Sequence, residues 1–375
     1  MNIQNDGSAV VYCEGAFNTP NGKTAHGLVR YTQRYNVLSV IDSTNSGKNA
    51  CTLMGIKNSV IPIVADLEEA VKQSKESGTD LTHFVIGLAP DGGRLDEKAR
   101  SAVIQAIKLG FNVDSGLHDY LSEDDEIKKL AKDKKVVLRD IRKPKPAKSL
   151  HFFTGKIEEV QSVIIAILGT DSAVGKRTTA RLLVEALIEE GYKAELIGTG
   201  QTSWLQGTKY CIILDSIIND FVTGEIEHII HKAWTAEKPH FIVLEGQGSL
   251  LNPAYPGGFE LLAAGRPDMI ILQHAPARMY YDGFPDYVIH PLHKQIKALE
   301  LVSSKQVVAV TVNHENMTPA EVDKFCRQII MDHDIPAYDV VRNGAQKLAK
   351  YIGNISTRIT EKKIRFRRRM VSVNE

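Results

Sequence analysis

Cysteine is scarce in this chain: Cys13, Cys51, Cys211 and Cys326 are four in 375 residues, with no Cys-x-x-Cys pair among them. That scatter excludes a disulfide framework or a sulfur-ligated zinc site and fits buried thiols in a reducing compartment. An excess of one charge is missing too. Lys and Arg number 46 against 45 Asp and Glu, a net of +1, so no global field draws nucleic acid or a membrane surface. No apolar run approaches the ~18–20 residues that a membrane span needs. The opening "MNIQNDGSAV" has no charged region followed by an apolar one, so it does not read as a signal peptide, and a cytoplasmic protein is expected. Several catalytic signatures are also absent. The pairs His228/His231 and His290/His293 stand outside an H-E-x-x-H frame, and there is no Gly-x-Ser-x-Gly elbow and no catalytic-cysteine signature.

What is present is an alternation of apolar runs and helical patterns. At ~100–200 residues per domain the length suggests two domains. In the first part "AVVYCEGAF", "YNVLSVIDS", "SVIPIVAD", "THFVIGLAP", "GFNVDSGL" and "KVVLRDI" read as strands. Between them lie helices such as "DEKARSAVIQAIKLG", closed by Gly110, and "SEDDEIKKLAKDKK", opening on Ser122 with acids first and lysines last. Val- and Ile-rich strands separated by helices imply parallel sheets with crossover helices. "RKPKPAKSLHFFTGKIEEV" breaks the rhythm with two prolines and a charge run, and the boundary is placed there. A second series follows: "SVIIAILGT", "KAELIGTGQT", "HFIVLEGQGS", "DMIILQHAP", "KQVVAVTVN" and "IPAYDVVRNG". The expected architecture is α/β, with two doubly wound parallel-sheet domains over residues 1–150 and 151–375. The basic stretches "RDIRKPKPAK" and "KKIRFRRRM" are read as a linker and a solvated end.

The most informative segment is "VIIAILGTDSAVGKRTTARLL", residues 163–183. A continuous apolar strand, a Gly-rich turn and an amphipathic helix stand in the order of a phosphate-binding loop. In that geometry backbone N–H groups converge on an anion at the positive end of the helix dipole. Gly169, Thr170, Asp171, Ser172, Ala173, Val174, Gly175, Lys176, Arg177 and Thr178 are the candidate ligand-binding set, with Lys176 on phosphate oxygens. Arg177 stands where nucleotide hydrolases carry the hydroxyl that holds Mg²⁺. Either Thr178 takes that role with a one-residue shift, or the loop holds phosphate without a metal and Arg177 supplies charge as a planar fork. A diphosphate that is bound but not broken, as in coenzyme A, suits the second arrangement.

Other candidates sit at strand ends, where open parallel sheets place their sites. Glu245 ends "HFIVLE" and is followed by Gly246-Gln247-Gly248-Ser249; it is a candidate base, with the Gly246–Ser249 N–H groups as oxyanion donors. "IGTGQTS" offers Thr199 and Gln201 for substrate, as do Gln247 and Ser249. "LQHAPAR" brings His274 as a base and Arg278 as a fork for a substrate carboxylate. In the first domain His118 follows the fifth strand, and Gly92-Gly93-Arg94 forms a strand-to-helix loop able to face an anion. Asp220 and Glu225 are explained by a solvated helix face; Asp215 is the exception, since it directly follows the apolar run "CIIL".

"GTDSAVGKRTT", "IGTGQT", "LDSIINDFVTGEIE", "EGQGSLLNPAYPG" and "QHAPAR" together resemble the signature blocks of a bacterial and archaeal family long catalogued as uncharacterised. "GKTAHGLVRY", "VIDSTNSGK" and "SGLHDYLSED" resemble its N-terminal blocks. The resemblance implies a Rossmann-like domain followed by a P-loop NTPase-like domain. It further implies a D-glutamate N-acetyltransferase acting in D-amino-acid catabolism, with acetyl-CoA as co-substrate. A more distant likeness is to dethiobiotin synthetase, which implies Mg-ATP chemistry that Arg177 does not fit. The alternatives are therefore an ATP-dependent ligase or kinase and a non-enzymatic nucleotide-binding regulator. The expected partners are a small-molecule substrate and further copies of the chain in a homo-oligomer, with no nucleic acid and no membrane.

Overall fold

The computed structural model describes residues 5–373, and the chain divides into two compact units. One comprises Met1–Lys145 with Gly200–Lys209, the other Pro146–Thr199 with Tyr210–Glu375. In the first unit six strands form one parallel sheet: β1 (Gly7–Tyr12), β2 (Tyr35–Ile41), β3 (Ile63–Val64), β4 (His83–Ile86), β5 (Asn112–Ser115) and β6 (Leu138–Asp140). Their order is β3-β2-β1-β4-β5-β6, that of the dinucleotide-binding sheets. β1 shows why the sheet is covered on both faces. Val10 and Tyr12 join one core with Phe84, Val103 and Ile107, while Ala9 and Val11 join the other with Ala25, Leu28 and Val40. The helices are α1 (Lys23–Arg30), α2 (Ala50–Leu53), α3 (Leu67–Glu76), α4 (Glu97–Lys108) and α5 (Asp125–Lys134). α5 is capped by Asp124, whose carboxylate accepts the Ile127 N–H at 3.0 Å, and not by Ser122 as expected.

The second unit holds a seven-stranded parallel sheet of order β15-β14-β11-β7-β10-β8-β9. The strands are β7 (Val163–Gly169), β8 (Ala194–Gly198), β9 (Tyr210–Cys211), β10 (Phe241–Glu245), β11 (Met269–His274), β14 (Val307–Val312) and β15 (Ala337–Tyr338). A separate antiparallel hairpin pairs β12 (Tyr280–Tyr281) with β13 (Phe284–Val288). The two-residue β9, which opens the apolar run Tyr210–Leu214, and this hairpin have no counterpart among the strands read from the sequence. β7 is buried throughout and central, between β10 and β11.

Around this sheet run α6 (Lys176–Glu189), α7 (Gln201–Leu205), α8 (Asn219–Glu237), α9 (Phe259–Gly265), α10 (Leu292–Ser303), α11 (Pro319–His333), α12 (Val340–Asn343) and α13 (Gln346–Val373). α7 is the exception, since its segment, Gly200–Lys209, belongs with the first unit. Leu205 is fully buried in the core of α1 and β2, and Trp204 lies under the Arg34 guanidinium at 3.8 Å. Gln206 donates to the carbonyls of Gly27 at 2.7 Å and Tyr31 at 3.0 Å.

α8 departs from the expectation of a solvated acidic face. Glu225 accepts the His151 N–H at 2.9 Å and the ring Nδ1 at 2.6 Å, and Glu227 accepts from Thr154 and Ile157; both carboxylates are buried. They satisfy the backbone of the segment that leads into β7, work that a surface helix does not need. In the basic tail Lys362–Met370, Lys363 bonds Asp268 at 2.6 Å; the other side chains there lie outside the described residues.

Candidate functional site

The turn from Thr170 to Gly175 joins the central strand to the N-terminus of α6, so its N–H groups converge at the carboxyl edge of the sheet. Gly175 takes φ +107°, open to glycine at little cost, and the exposed Ala173 is held at φ +51°. Val174 is fully buried and plugs the turn into the core. A Cβ on Gly169 would stand 2.9 Å from the Lys176 side chain, so glycine there gives the lysine its path. Lys176 is 7% exposed, and its Nζ donates to the Asp171 carbonyl at 2.6 Å and the Gly248 carbonyl at 2.9 Å. The ammonium thus bridges the turn and the strand end after Glu245.

Arg177 does not run out to solvent. Its side chain is 25% exposed, and Nη1 lies 3.9 Å from Glu245 Oε1. Glu245 is buried at the end of β10; Oε2 accepts the Thr199 N–H at 3.3 Å, and its carbonyl accepts the Thr199 hydroxyl at 2.9 Å. Gln247 donates to the Thr199 hydroxyl at 2.6 Å and carbonyl at 2.9 Å. Lys176, Arg177, Thr199, Glu245 and Gln247, all singled out from sequence, therefore meet at one sheet edge. Glycines allow the approach: a Cβ on Gly246 would meet the Ile167 carbonyl at 2.3 Å, and one on Gly248 the Tyr255 carbonyl at 2.1 Å.

Other candidates are placed differently. The Ser249 N–H donates to the Tyr255 carbonyl at 3.2 Å and its hydroxyl to Gln295 at 3.4 Å, so it braces a turn and is no oxyanion donor here. His274 is 7% exposed with Nδ1 2.9 Å from the Thr170 hydroxyl. Burial pushes its pKa down to about 4, which keeps the ring neutral near pH 7 and makes it a weak base. Arg278, expected to meet a substrate carboxylate, is already spent: it bonds Asp171 and the Ser172 carbonyl through Nη1 and Glu315 through Nε and Nη2. Thr178 is half-buried on the first turn of α6.

Gln201 leaves this edge with the segment that joins the first unit, where it packs on Gly116. His118 and Arg94 are brought together in the first unit. The His118 N–H donates to the Gly93 carbonyl at 2.7 Å, and the exposed Arg94 pairs with Asp119 at 3.0 Å. A buried acid of the first unit, Asp42, follows β2 and accepts from Gly15, Phe17, Thr44 and Asn45, so it closes its loop on itself.

Sequence reasoning missed a layer behind the phosphate loop. Gln273 accepts the hydroxyls of Thr179 at 2.5 Å and Thr311 at 2.6 Å, and Asn313 donates to the Val174 carbonyl at 3.1 Å. Gln295 donates to the Thr170 carbonyl at 3.3 Å, and Asn252 to Asp171 at 2.8 Å. A buried amide carries no signature in a single sequence; a polar residue inside an apolar strand run, such as Gln273 in "MIILQH", was the available signal.

A Rossmann-ordered sheet in one unit and a doubly wound P-loop sheet in the other define the class of protein. Residues 151–349 match the family model described as "Domain of unknown function (DUF1611_C) P-loop domain", and residues 43–144 match its Rossmann-like partner, DUF1611_N. The chain belongs to this DUF1611 family. It is similar to a D-glutamate N-acetyltransferase of Pseudoalteromonas sp, 32% identical over 272 residues, 71% of this chain and 79% of the relative. A second D-glutamate N-acetyltransferase, from Tritonibacter scottomollicae, is 29% identical over 288 residues, 75% and 83% of the two chains. The crystal structure of a DUF1611 family protein from Anabaena variabilis is similar throughout, with a TM-score of 0.84, 26% identity, and coverage of 93% of this chain and 100% of that one. Among the described residues no helix is long and apolar enough to cross a membrane.

Proposed function

We propose that this protein is an N-acetyltransferase that moves the acetyl group of acetyl-CoA to the amine of D-glutamate, a step in D-amino-acid catabolism. Its relatives named D-glutamate N-acetyltransferase support the activity. The observation that carries the mechanism is the Arg177–Glu245 pair, 3.9 Å apart at the mouth of the phosphate loop. The loop N–H groups, Lys176 and Arg177 bind the CoA diphosphate, and side-chain charge stands where nucleotide hydrolases place a cation. Glu245 takes the proton that the substrate ammonium must lose. The amine then attacks the thioester carbonyl; a C–N bond forms, the C–S bond breaks, and CoA leaves as thiolate and is protonated. Phosphate that draws Arg177 away leaves Glu245 a stronger base, so donor binding prepares the acceptor step. The His274 imidazole, buried and weakly basic, orients Thr170 instead.

The test is thiol release. Acetyl-CoA with D-glutamate liberates free thiol, and L-glutamate does not. Glu245→Gln lowers kcat by about 100-fold or more with little change in the KM for acetyl-CoA, whereas Lys176→Ala raises that KM. Absence of thiol with every acidic D-amino acid removes the reading. Magnesium-dependent ADP formation from ATP in its place establishes the ligase or kinase alternative, with Thr178 on the metal, and ligand binding without turnover establishes the regulator.

A further inference from the structure

Asp171 is an unexpected residue inside an anion-binding turn. Its carboxylate is 0% exposed and accepts from the Ser172 N–H at 2.7 Å, Asn252 Nδ2 at 2.8 Å, the Asp282 N–H at 2.9 Å and Arg278 Nη1 at 2.9 Å. Of these four donors, Arg278 is the one that brings charge. Its guanidinium is 17% exposed and also holds the Ser172 carbonyl at 2.8 Å and Glu315 at 2.8 Å. The cations around the turn include Lys176, Arg177 and Arg278; the carboxylates include Asp171, Glu245, Glu315 and Asp282, whose N–H meets Asp171 at 2.9 Å. Removing Arg278 adds to the excess of carboxylates where an anion must sit.

We propose that Arg278 is a charge-compensating positioning residue of the phosphate loop: it cancels Asp171 within the turn and fixes the Ser172 carbonyl, so that the turn accepts a diphosphate. It does not grip the substrate carboxylate. This rests on the anion-binding part of the function proposed above and not on the identity of the acyl acceptor.

A double-mutant cycle on the full chain tests it, with inorganic pyrophosphate and CoA as probes and circular dichroism as the check on folding. Arg278→Gln weakens binding of both probes by about 30-fold, because it leaves Asp171 buried and uncompensated. Asp171→Asn together with Arg278→Gln removes both charges, at the cost of turning an amide NH2 toward the Ser172 or the Asp282 N–H, and binds at least about five-fold more tightly than Arg278→Gln alone. A residue that merely shapes the turn gives a double variant no better than the single one. Glu315→Gln removes a neighbouring carboxylate and tightens pyrophosphate binding about three-fold; this variant decides the matter should Arg278→Gln not fold. A double variant as weak as Arg278→Gln, an Arg278→Gln that binds normally, or a Glu315→Gln that binds more weakly overturns the proposal. A wild type that binds pyrophosphate but not CoA sinks the transferase reading and leaves this inference standing; binding of neither probe sinks both.

Discussion

Protonating His274 in the folded chain charges an imidazole that is 7% exposed and already hydrogen-bonded to Thr170. Its pKa falls from the ordinary 6.5 to about 4 because burial penalises the cation. Well above pH 6.5 the ring is neutral in both folded and unfolded chains and contributes nothing. Below that, the unfolded chain binds a proton that the folded one refuses, so stability falls as pH drops, by about 3 kcal/mol at pH 4. His274→Gln, which keeps a partner for Thr170 and cannot titrate, is expected to flatten this part of the profile in urea unfolding between pH 7 and 4. An unchanged slope means that the ring is not refused its proton. The same burial explains why a histidine at a strand end, attractive from sequence as a base, is a poor one here. Glu245 and Arg177 were also legible as residue types, but their pairing was not, because 68 positions separate them and sequence carries no distance.

At the scale of elements, α8 shows local propensity and packing in conflict. Gly224 lies within this helix, where replacing glycine by alanine ordinarily gains about 1 kcal/mol. Here a Cβ would stand 2.1 Å from the His151 carbonyl and 2.6 Å from the Phe152 carbonyl carbon. Backbone cannot yield as a side-chain end can, so the clash outweighs the propensity. Gly224→Ala is therefore expected to lower the melting temperature, and a rise in calorimetry refutes the close docking of residues 151–157. Most long elements were legible: twelve strands read from apolar runs return as β1–β8, β10, β11, β14 and β15. β9 and the β12–β13 hairpin were not; β13, "FPDYV", is interrupted by a proline and an acid and is largely exposed, so it shows no apolar run. Of the acids named on α8, Asp220 is exposed as expected, while Glu225 was misread as solvated, because burial depends on what covers a helix.

For the whole molecule, the division of the chain has a consequence for fragments. Leu205 is fully buried in the first unit, with Trp204 under Arg34 and Gln206 capping two carbonyls. A fragment ending at Lys145 loses all three, roughly 2 kcal/mol from Leu205 alone. Residues 1–145 expressed alone are expected to melt earlier than the same region in the full chain and to bind a hydrophobic dye. Hydrogen exchange of β1 and β2 in fragment and full chain makes the comparison residue by residue; equal protection counts against the docking of this segment.

The sequence by itself determined the α/β class, the presence of two alternating series and the phosphate loop, because each is written in short-range pattern: apolar runs of strand length, helical period, and glycines flanking Lys176. The family likeness was legible for the same reason, being a matter of ordered local blocks. Tertiary structure alone decided that Gly200–Lys209 packs with the first unit, that Glu225 and Glu227 are buried, and that Arg278 is engaged by Asp171 and Glu315. These are relations between residues as many as 179 positions apart, between Gly27 and Gln206, and such relations come into being when the chain has closed on itself.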